Sequence, residues 1–359
     1  MTEVVVVGGG QAGLAIGYHL ARMQRDARRG RRSAAPEFII LDERNEPGGA
    51  WSELWPSMRL FSPASSSSLP GMRMSPSAEE TATASEVVQY LRDYAERYAL
   101  PISWGTRVDR VARETDGSFI LHAARHEQRA QAVVMATGSW RRPFVPTAPG
   151  LAEYCGEQLH TIDYAGPEHF VGRRVAVVGG GNSGAQIAAD LDGVAAVTWV
   201  TRRPPKFLPD EIDGRALFEA ASKQAIEGGR GVGELGDIVA VPSVRAARDR
   251  GLRARWDLEH FTSRGVAWRD GSETELDAVI WCTGFRPDLG TLSAIDLARS
   301  GGIPATRPEL PTASASIPGL YFLGYGDWCG AASATLVGVG RMARATAEHL
   351  DLMHRQTSI

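Results

Sequence analysis

The chain opens on an unbroken β-branched run at residues 4–7, which suits a central parallel strand buried on both faces. It runs into Gly8-Gly9-Gly10-Gln11-Ala12-Gly13, and the apolar spacing of residues 14–23 then predicts a helix. A second apolar run, residues 38–41, ends at Asp42. The same order returns in the middle of the chain. Residues 174–178 read as a strand, Gly179-Gly180-Gly181-Asn182-Ser183-Gly184 as a turn, and residues 185–191 as a small-residue helix. Residues 197–200 read as the next strand, closed by Thr201-Arg202-Arg203. Two further apolar runs finish alike, one in Thr137-Gly138 and one in Thr283-Gly284. Near the C-terminus a strand from residue 320 leads into Gly324-Tyr325-Gly326-Asp327-Trp328, and residues 331–350 predict an amphipathic helix.

Strand, G-x-G-x-x-G and helix in that order form a dinucleotide cradle. Gly8 permits the tight turn, Gly10 lets a pyrophosphate approach the backbone, and Gly13 lets helix and strand pack closely. Gln11 and Ala12 lie at the helix start, where unpaired N–H groups and partial positive charge attract phosphate. Asp42 stands where such folds hydrogen-bond an adenosine ribose, although it follows the glycines by more than the usual ~20 residues. The excess falls in residues 24–36, which hold Arg28, Arg29, Arg31 and Arg32. A solvated insertion in the helix-to-strand loop is the expectation there, with a basic docking patch as the sharper alternative.

In the second unit Gly179, Gly181, Asn182, Ser183 and Gly184 fill the corresponding roles, but the second strand ends in Arg202 and Arg203 instead of a carboxylate. Aspartate suits a free 2′-hydroxyl; arginine suits a 2′-phosphate. A charge-assisted hydrogen bond contributes roughly 1.5–3 kcal/mol, about ten- to hundredfold in affinity. NADPH is therefore expected over NADH. Two cradles in one chain imply two dinucleotides, FAD and NADPH, placed for hydride transfer. The two Thr-Gly strand ends bracket the second unit. The expected architecture is α/β, with two Rossmann-like dinucleotide-binding domains and the second inserted into the first: residues 1–144 and 285–359 for FAD, 145–284 for NAD(P).

Composition adds bounds. The 359 residues are 43% apolar and 23% charged, enough for two cores, and the net charge of -3 points neither to nucleic acid nor to an anionic membrane. No apolar run approaches the roughly 20 residues of a membrane span, and the start reads as a strand, not a secretory leader. Cys155, Cys282 and Cys329 are far apart, without Cys-x-x-Cys, and the eight histidines lack metal-ligand spacing; reduced cysteines and a cytoplasmic, metal-free protein are expected. Trp140, Trp199, Trp256, Trp268 and Trp281 are read as packing residues, and residues 65–68 as a polar loop. Residues 245–255 are read as a solvated helical face, and residues 204–255 are expected to help cover the cleft.

Ahead of the second glycine motif, Tyr154-Cys155-Gly156-Glu157-Gln158-Leu159-His160-Thr161-Ile162-Asp163-Tyr164 is similar to F-x-G-x-x-x-H-x-x-x-(F/Y/W), with tyrosine for the first phenylalanine. With both cradles, it makes the whole chain resemble the class B flavoprotein monooxygenases, the flavin-containing and Baeyer–Villiger enzymes. The short bacterial flavin-containing members share Gly-Gly-Ala-Trp (here 48–51), Leu-Phe-Ser-Pro (60–63), Gly-Asp-Ile-Val (236–239) and Gly-Tyr-Gly-Asp-Trp (324–328), and the chain is also similar to monooxygenase-like flavoproteins of arsenic-resistance operons.

The resemblance implies FAD contacts from Gly48, Gly49 and Trp51, and from Gly326 and Asp327. It places Phe61 and Ser62 beside the flavin ring, as the candidate catalytic pair. Many eukaryotic members have an asparagine there; this chain has Ser62-Pro63. For His160 it implies coupling of the domains more than bond-making. Some short members that tolerate NADH carry Gln-His in place of Arg202-Arg203. The implied cycle reduces the flavin with NADPH, adds O2 at flavin C4a to give a (hydro)peroxide, and passes oxygen to a small sulfide or a ketone. The alternatives are an NAD(P)H oxidase or quinone-type flavin reductase that oxygenates nothing, a disulfide reductase (against which the cysteine spacing speaks) and a nucleotide-sensing binding protein. The expected partner is a small-molecule substrate, with a homodimer as the default assembly.

Overall fold

The structure, a computed structural model, describes residues 2–78, 81–123, 126–210 and 238–357. Among them the first sheet has nine strands. Its centre is β1 (Thr2–Val7), flanked in parallel by β2 (Phe38–Leu41) and β6 (His126–Met135). Val4 and Val6 enter the core under the helices, whereas Val5 and Val7 enter the core on the opposite face. That is why the run is apolar without alternation.

Beyond β2 lies β3 (Ile102–Ser103); β4 (Arg110–Arg113) and β5 (Phe119–Ala123) form an antiparallel extension against the first half of β6. The second half of β6 pairs in parallel with the strand at 320–322, Val133 opposite Leu320.

The second sheet is wholly parallel, in the order β10-β9-β8-β14-β7. Its strands are β7 (Glu157–His160), β8 (Arg174–Val178), β9 (Ala196–Val200), β10 (Ala254–Arg255) and β14 (Ala278–Trp281). Between β10 and β14 an antiparallel trio covers one face: β11 (Leu258–Thr262), β12 (Gly265–Trp268) and β13 (Glu273–Glu275). The chain then forms the small pair β15 (Arg299–Ser300) and β16 (Ile303–Pro304). It rejoins the first sheet through β17 (Thr306–Arg307), β18 (Leu310–Ser314) and β19 (Leu320–Phe322). Parallel strands with helical crossovers, twice over, give the expected α/β class with two Rossmann-like units.

The helices are α1 (Gln11–Arg28), α2 (Ala84–Tyr98), α3 (Asn182–Leu191), α4 (Pro242–Arg250) and α5 (Leu336–Thr357). Several differ from the sequence reading: α3 starts three residues earlier, at Asn182, and the face read as helical over 245–255 is helix only to Arg250 and passes into β10. α1 runs five residues past the predicted end, so much of the 24–36 excess is helix; the remaining loop is tied down by Arg32–Asp351 and by Gln24 Nε2 donating to the Pro36 carbonyl at 3.0 Å. α5 starts at Leu336, not 331, because Ala332 takes a positive φ of 55° and Thr335 Oγ1 accepts from the Gly338 N–H at 3.0 Å, as an N-cap does. Of the tryptophans read as packing, Trp199, Trp268 and Trp281 are buried, but Trp256 is 52% exposed. No helix among the described residues is long and apolar enough to cross a membrane.

Candidate active site and family

At the end of β1, Gly8 adopts φ +108°, and a Cβ there would lie 2.4 Å from the Ala136 carbonyl oxygen. A Cβ on Gly13 would lie 1.9 Å from the Gly8 carbonyl oxygen, so this turn and helix accept only glycine at both positions. Gly10 is open: its Cβ would meet nothing nearer than the Gly49 Cα at 3.8 Å. Asp42, at the end of β2, is buried and spans the turn, accepting from the Gly9 N–H at 2.5 Å and the Arg44 N–H at 2.8 Å. Burial raises its carboxyl above the ordinary aspartate value, against the pull of those two N–H groups.

Gln11 joins three parts of this cradle. Its Nε2 donates to the Ala334 carbonyl at 2.7 Å, and its Oε1 accepts from Trp51 Nε1 at 3.0 Å. Trp51 belongs to the 3-10 turn Gly49–Glu53, whose Gly49 packs against Gly10. Ala12 meets Gly324, where a Cβ would fall 2.7 Å from the Ala12 Cβ. Gly326 has φ +103° with open space at its Cβ position, and Asp327 Oδ1 accepts from the Ala332 N–H at 2.9 Å. Thr137 N–H donates to the Tyr325 hydroxyl at 3.1 Å, its Oγ1 donates to the Asp288 carbonyl at 2.5 Å, and the Gly138 carbonyl accepts from the Asp288 N–H at 2.8 Å. Nothing lies within 4 Å of a Cβ position on Gly138. These open backbone faces beside a buried terminal carboxylate are what a dinucleotide needs, and the residues present fit FAD.

The second cradle repeats the geometry. Cβ atoms on Gly179 and Gly184 would lie 2.2 Å from the Cys282 carbonyl oxygen and 2.4 Å from the Gly179 carbonyl oxygen, while Gly181 meets nothing within 4 Å. Asn182 and Ser183 begin α3, and Asn182 Oδ1 accepts from the Val239 N–H at 2.9 Å. Arg202 and Arg203 are exposed just past β9. Thr283 Oγ1 donates to the Phe144 carbonyl at 2.5 Å, and Pro143 bridges Phe285, so both crossings between the sheets run side by side. This cradle, with cationic side chains at the strand end, fits NADP(H).

The sequence left unread what links the cradles. After Glu53 the chain runs as a strap, residues 54–62, onto the second unit. Trp55 is buried in that unit's core and meets Tyr164 edge-on. Gln186 of α3, also buried, accepts from the Arg59 N–H and donates to the Arg59 carbonyl, both at 3.1 Å. Asp190 Oδ2 accepts from Tyr164 Oη at 2.7 Å and Ser57 Oγ at 2.9 Å. Phe61 packs on Leu208 and Val239, and Ser62 Oγ lies 2.8 Å from Ser67 Oγ, so the loop read only as polar supplies a partner. A serine repeat carries no signal for such pairing; the Gln-Ile-Ala-Ala-Asp stretch of α3 held the only cue, a glutamine among apolar residues.

His160 closes the linker. Its Nδ1 accepts from the Ile162 N–H at 3.4 Å, its Nε2 donates to the Gly284 carbonyl at 3.1 Å, and it meets Phe285 edge-on. Burial holds the imidazole below its ordinary value, and its bond to the Gly284 carbonyl joins β7 to the crossing. Cys282 is also passive, its thiol pushed up to about 12 by burial. Of the motif shared at 236–239, Gly236 and Asp237 lie outside the described residues, as does 211–237 of the expected cleft cover.

Comparison with known proteins agrees with this geometry. The model of the pyridine nucleotide-disulphide oxidoreductase family matches residues 5–324. The flavin-containing monooxygenase from Stenotrophomonas maltophilia superposes with a TM-score of 0.87 at 40% identity, covering 98% of both chains; a double mutant of the flavin monooxygenase from that organism gives 0.88 and 42%, again over 98% of both. An uncharacterized CzcO-like oxidoreductase of Geobacillus kaustophilus is 30% identical over 98% of this chain and 97% of its own length. The chain therefore belongs to the pyridine nucleotide-disulphide oxidoreductase family, among its flavin-containing monooxygenases.

Proposed function

We infer that the protein is an NADPH-dependent, FAD-containing monooxygenase that uses O2 to oxygenate small soft nucleophiles such as sulfides, or ketones. The observation that carries this is the pair of open glycine cradles joined by one strap, one ending in Asp42 and the other in Arg202 and Arg203. Gly8, Gly10, Gln11, Ala12, Gly13, Asp42, Gly49, Trp51, Thr137, Gly138, Gly326 and Asp327 would hold FAD. Gly179, Gly181, Asn182, Ser183, Gly184, Arg202, Arg203 and Thr283 would hold NADPH. Bound together, the two cofactors supply the hydride and the oxygen-activating ring.

The chain's own residues do the rest. Backbone N–H groups at the starts of α1 and α3 would face the phosphate charge of the bound cofactors. The strap packs Phe61 on Leu208 and Val239, and Ser62 would present a hydroxyl oriented by Ser67. The paired crossings support a division into residues 1–144 with 285–359 and residues 145–284. Three free cysteines fit a reducing cytoplasm, and a homodimer is the default assembly.

The test is product stoichiometry. With methyl phenyl sulfide, we expect one sulfoxide per NADPH consumed, little peroxide, and NADPH favoured over NADH by about ten- to hundredfold. The double substitution Arg202→Ala, Arg203→Ala should erase that preference. Peroxide equal to NADPH consumed, with no sulfoxide or ester from any sulfide or ketone, would establish an oxidase instead.

A further inference from the structure

Glu53 ends the 3-10 turn that packs on Gly10, and three donors converge on its carboxylate. Oε1 accepts from Arg44 Nε at 3.0 Å and from Arg44 Nη2; Oε2 accepts from Trp140 Nε1 at 2.9 Å. Arg44 stands two residues past Asp42, whose Oδ1 holds the Arg44 N–H. Trp140 stands three residues past Thr137 and stacks on Phe285 at 4.8 Å. The turn is thus fastened at one end to α1, through Trp51 and Gln11, and at the other to the ends of both strands flanking β1. Beside it, Glu43 and Arg141 form a second ion pair, and a cavity of about 600 Å³ opens between Glu43, Arg44, Glu53, Arg107 and Arg141.

An isolated exposed ion pair contributes little, about 0–1 kcal/mol. Here one carboxylate joins donors from two separate chain segments. The fold has no need of the link, since β1, β2 and β6 are already paired along their length. What the link does fix is the turn over the first cradle.

We propose that Glu53 is a latch that controls release of FAD: its bonds to Arg44 and Trp140 hold the 49–53 turn closed over the first cradle. This rests on FAD occupying that cradle. Glu53 is a positioning residue, acting through the turn and touching no reacting atom.

The experiment follows flavin fluorescence after dilution of the FAD-loaded protein, in wild type, Glu53→Gln, Glu53→Ala and, as a control, Glu275→Ala. Glu275 pairs with Arg174 and Arg264 at the far side of the second unit. Loss of a charge-assisted network is expected to speed release about tenfold in Glu53→Ala. Glu53→Gln, which keeps one acceptor, should fall between, Glu275→Ala should match wild type, and the melting temperature of the FAD-free proteins should stay level. Release at the wild-type rate in Glu53→Ala, or equal acceleration in Glu275→Ala, overturns the latch. A wild type that never takes up FAD removes the underlying functional reading as well, and is told apart by that first measurement.

Discussion

His19 lies in the seam between α1 and α5, where burial, reinforced by Arg22, lowers its pKa from 6.5 to about 4. The unfolded chain therefore binds this proton more readily than the folded one between those values. Stability must fall as pH drops through 6.5 and level off near 4. Glutamine cannot take up the proton, so His19→Gln should show a shallower decline; melting temperature against pH from 7 to 4 checks it, and parallel curves would show that other groups carry the acid sensitivity. At this scale, residues whose role depends on their neighbours in sequence were legible. Asp42 announces itself by ending a strand after a glycine turn, and Arg202 and Arg203 by contrast with it. Glu53, Gln186 and Tyr325 were not, because their partners Trp140, Arg59 and Thr137 stand 87, 127 and 188 residues away. A one-dimensional pattern holds no trace of such pairings.

At the scale of elements, the strap is the decisive part. Gln186 satisfies both the N–H and the carbonyl of Arg59 in a buried seam. Gln186→Ala removes both of these bonds from the seam and should cost about 1–3 kcal/mol. Because α3 also begins the second cradle, the same change should raise KM for NADPH while leaving FAD retention intact. Thermal melts and steady-state kinetics measure the two effects; an unchanged KM would confine Gln186 to stability. The regular elements were readable because all-apolar strands and glycine turns are periodic and local. Their ends were less so. The polar tail of α1 looks like loop in sequence, yet helical hydrogen bonding carries it to Arg28, while the positive φ at Ala332 delays α5. The strap itself offered only Leu-Trp-Pro-Ser-Met-Arg-Leu-Phe, a short amphipathic stretch without period.

For the molecule as a whole, two sheets share side chains: Trp55 comes from the first unit and is buried in the core of the second. We expect one cooperative thermal transition, superimposable by tryptophan fluorescence and far-UV circular dichroism, with FAD raising the midpoint of both signals together. At a hundredfold excess over Kd the gain is about 2.7 kcal/mol. Two resolved transitions would show that the strap does not couple the units. The duplicated strand–glycine–helix order made the double architecture visible in sequence; the sharing of Trp55 was not, since tryptophan reads as core without saying whose.

The paired crossings at Pro143 and Phe285 bring the two ends of the inserted unit together. A segment whose ends meet is a natural cassette, open to exchange between relatives without rerouting the host. Trp55 qualifies that freedom. A chimaera spliced only at the crossings would seat a foreign guest on a host tryptophan shaped for the old one, so a working graft must carry residues 54–62 along with the guest.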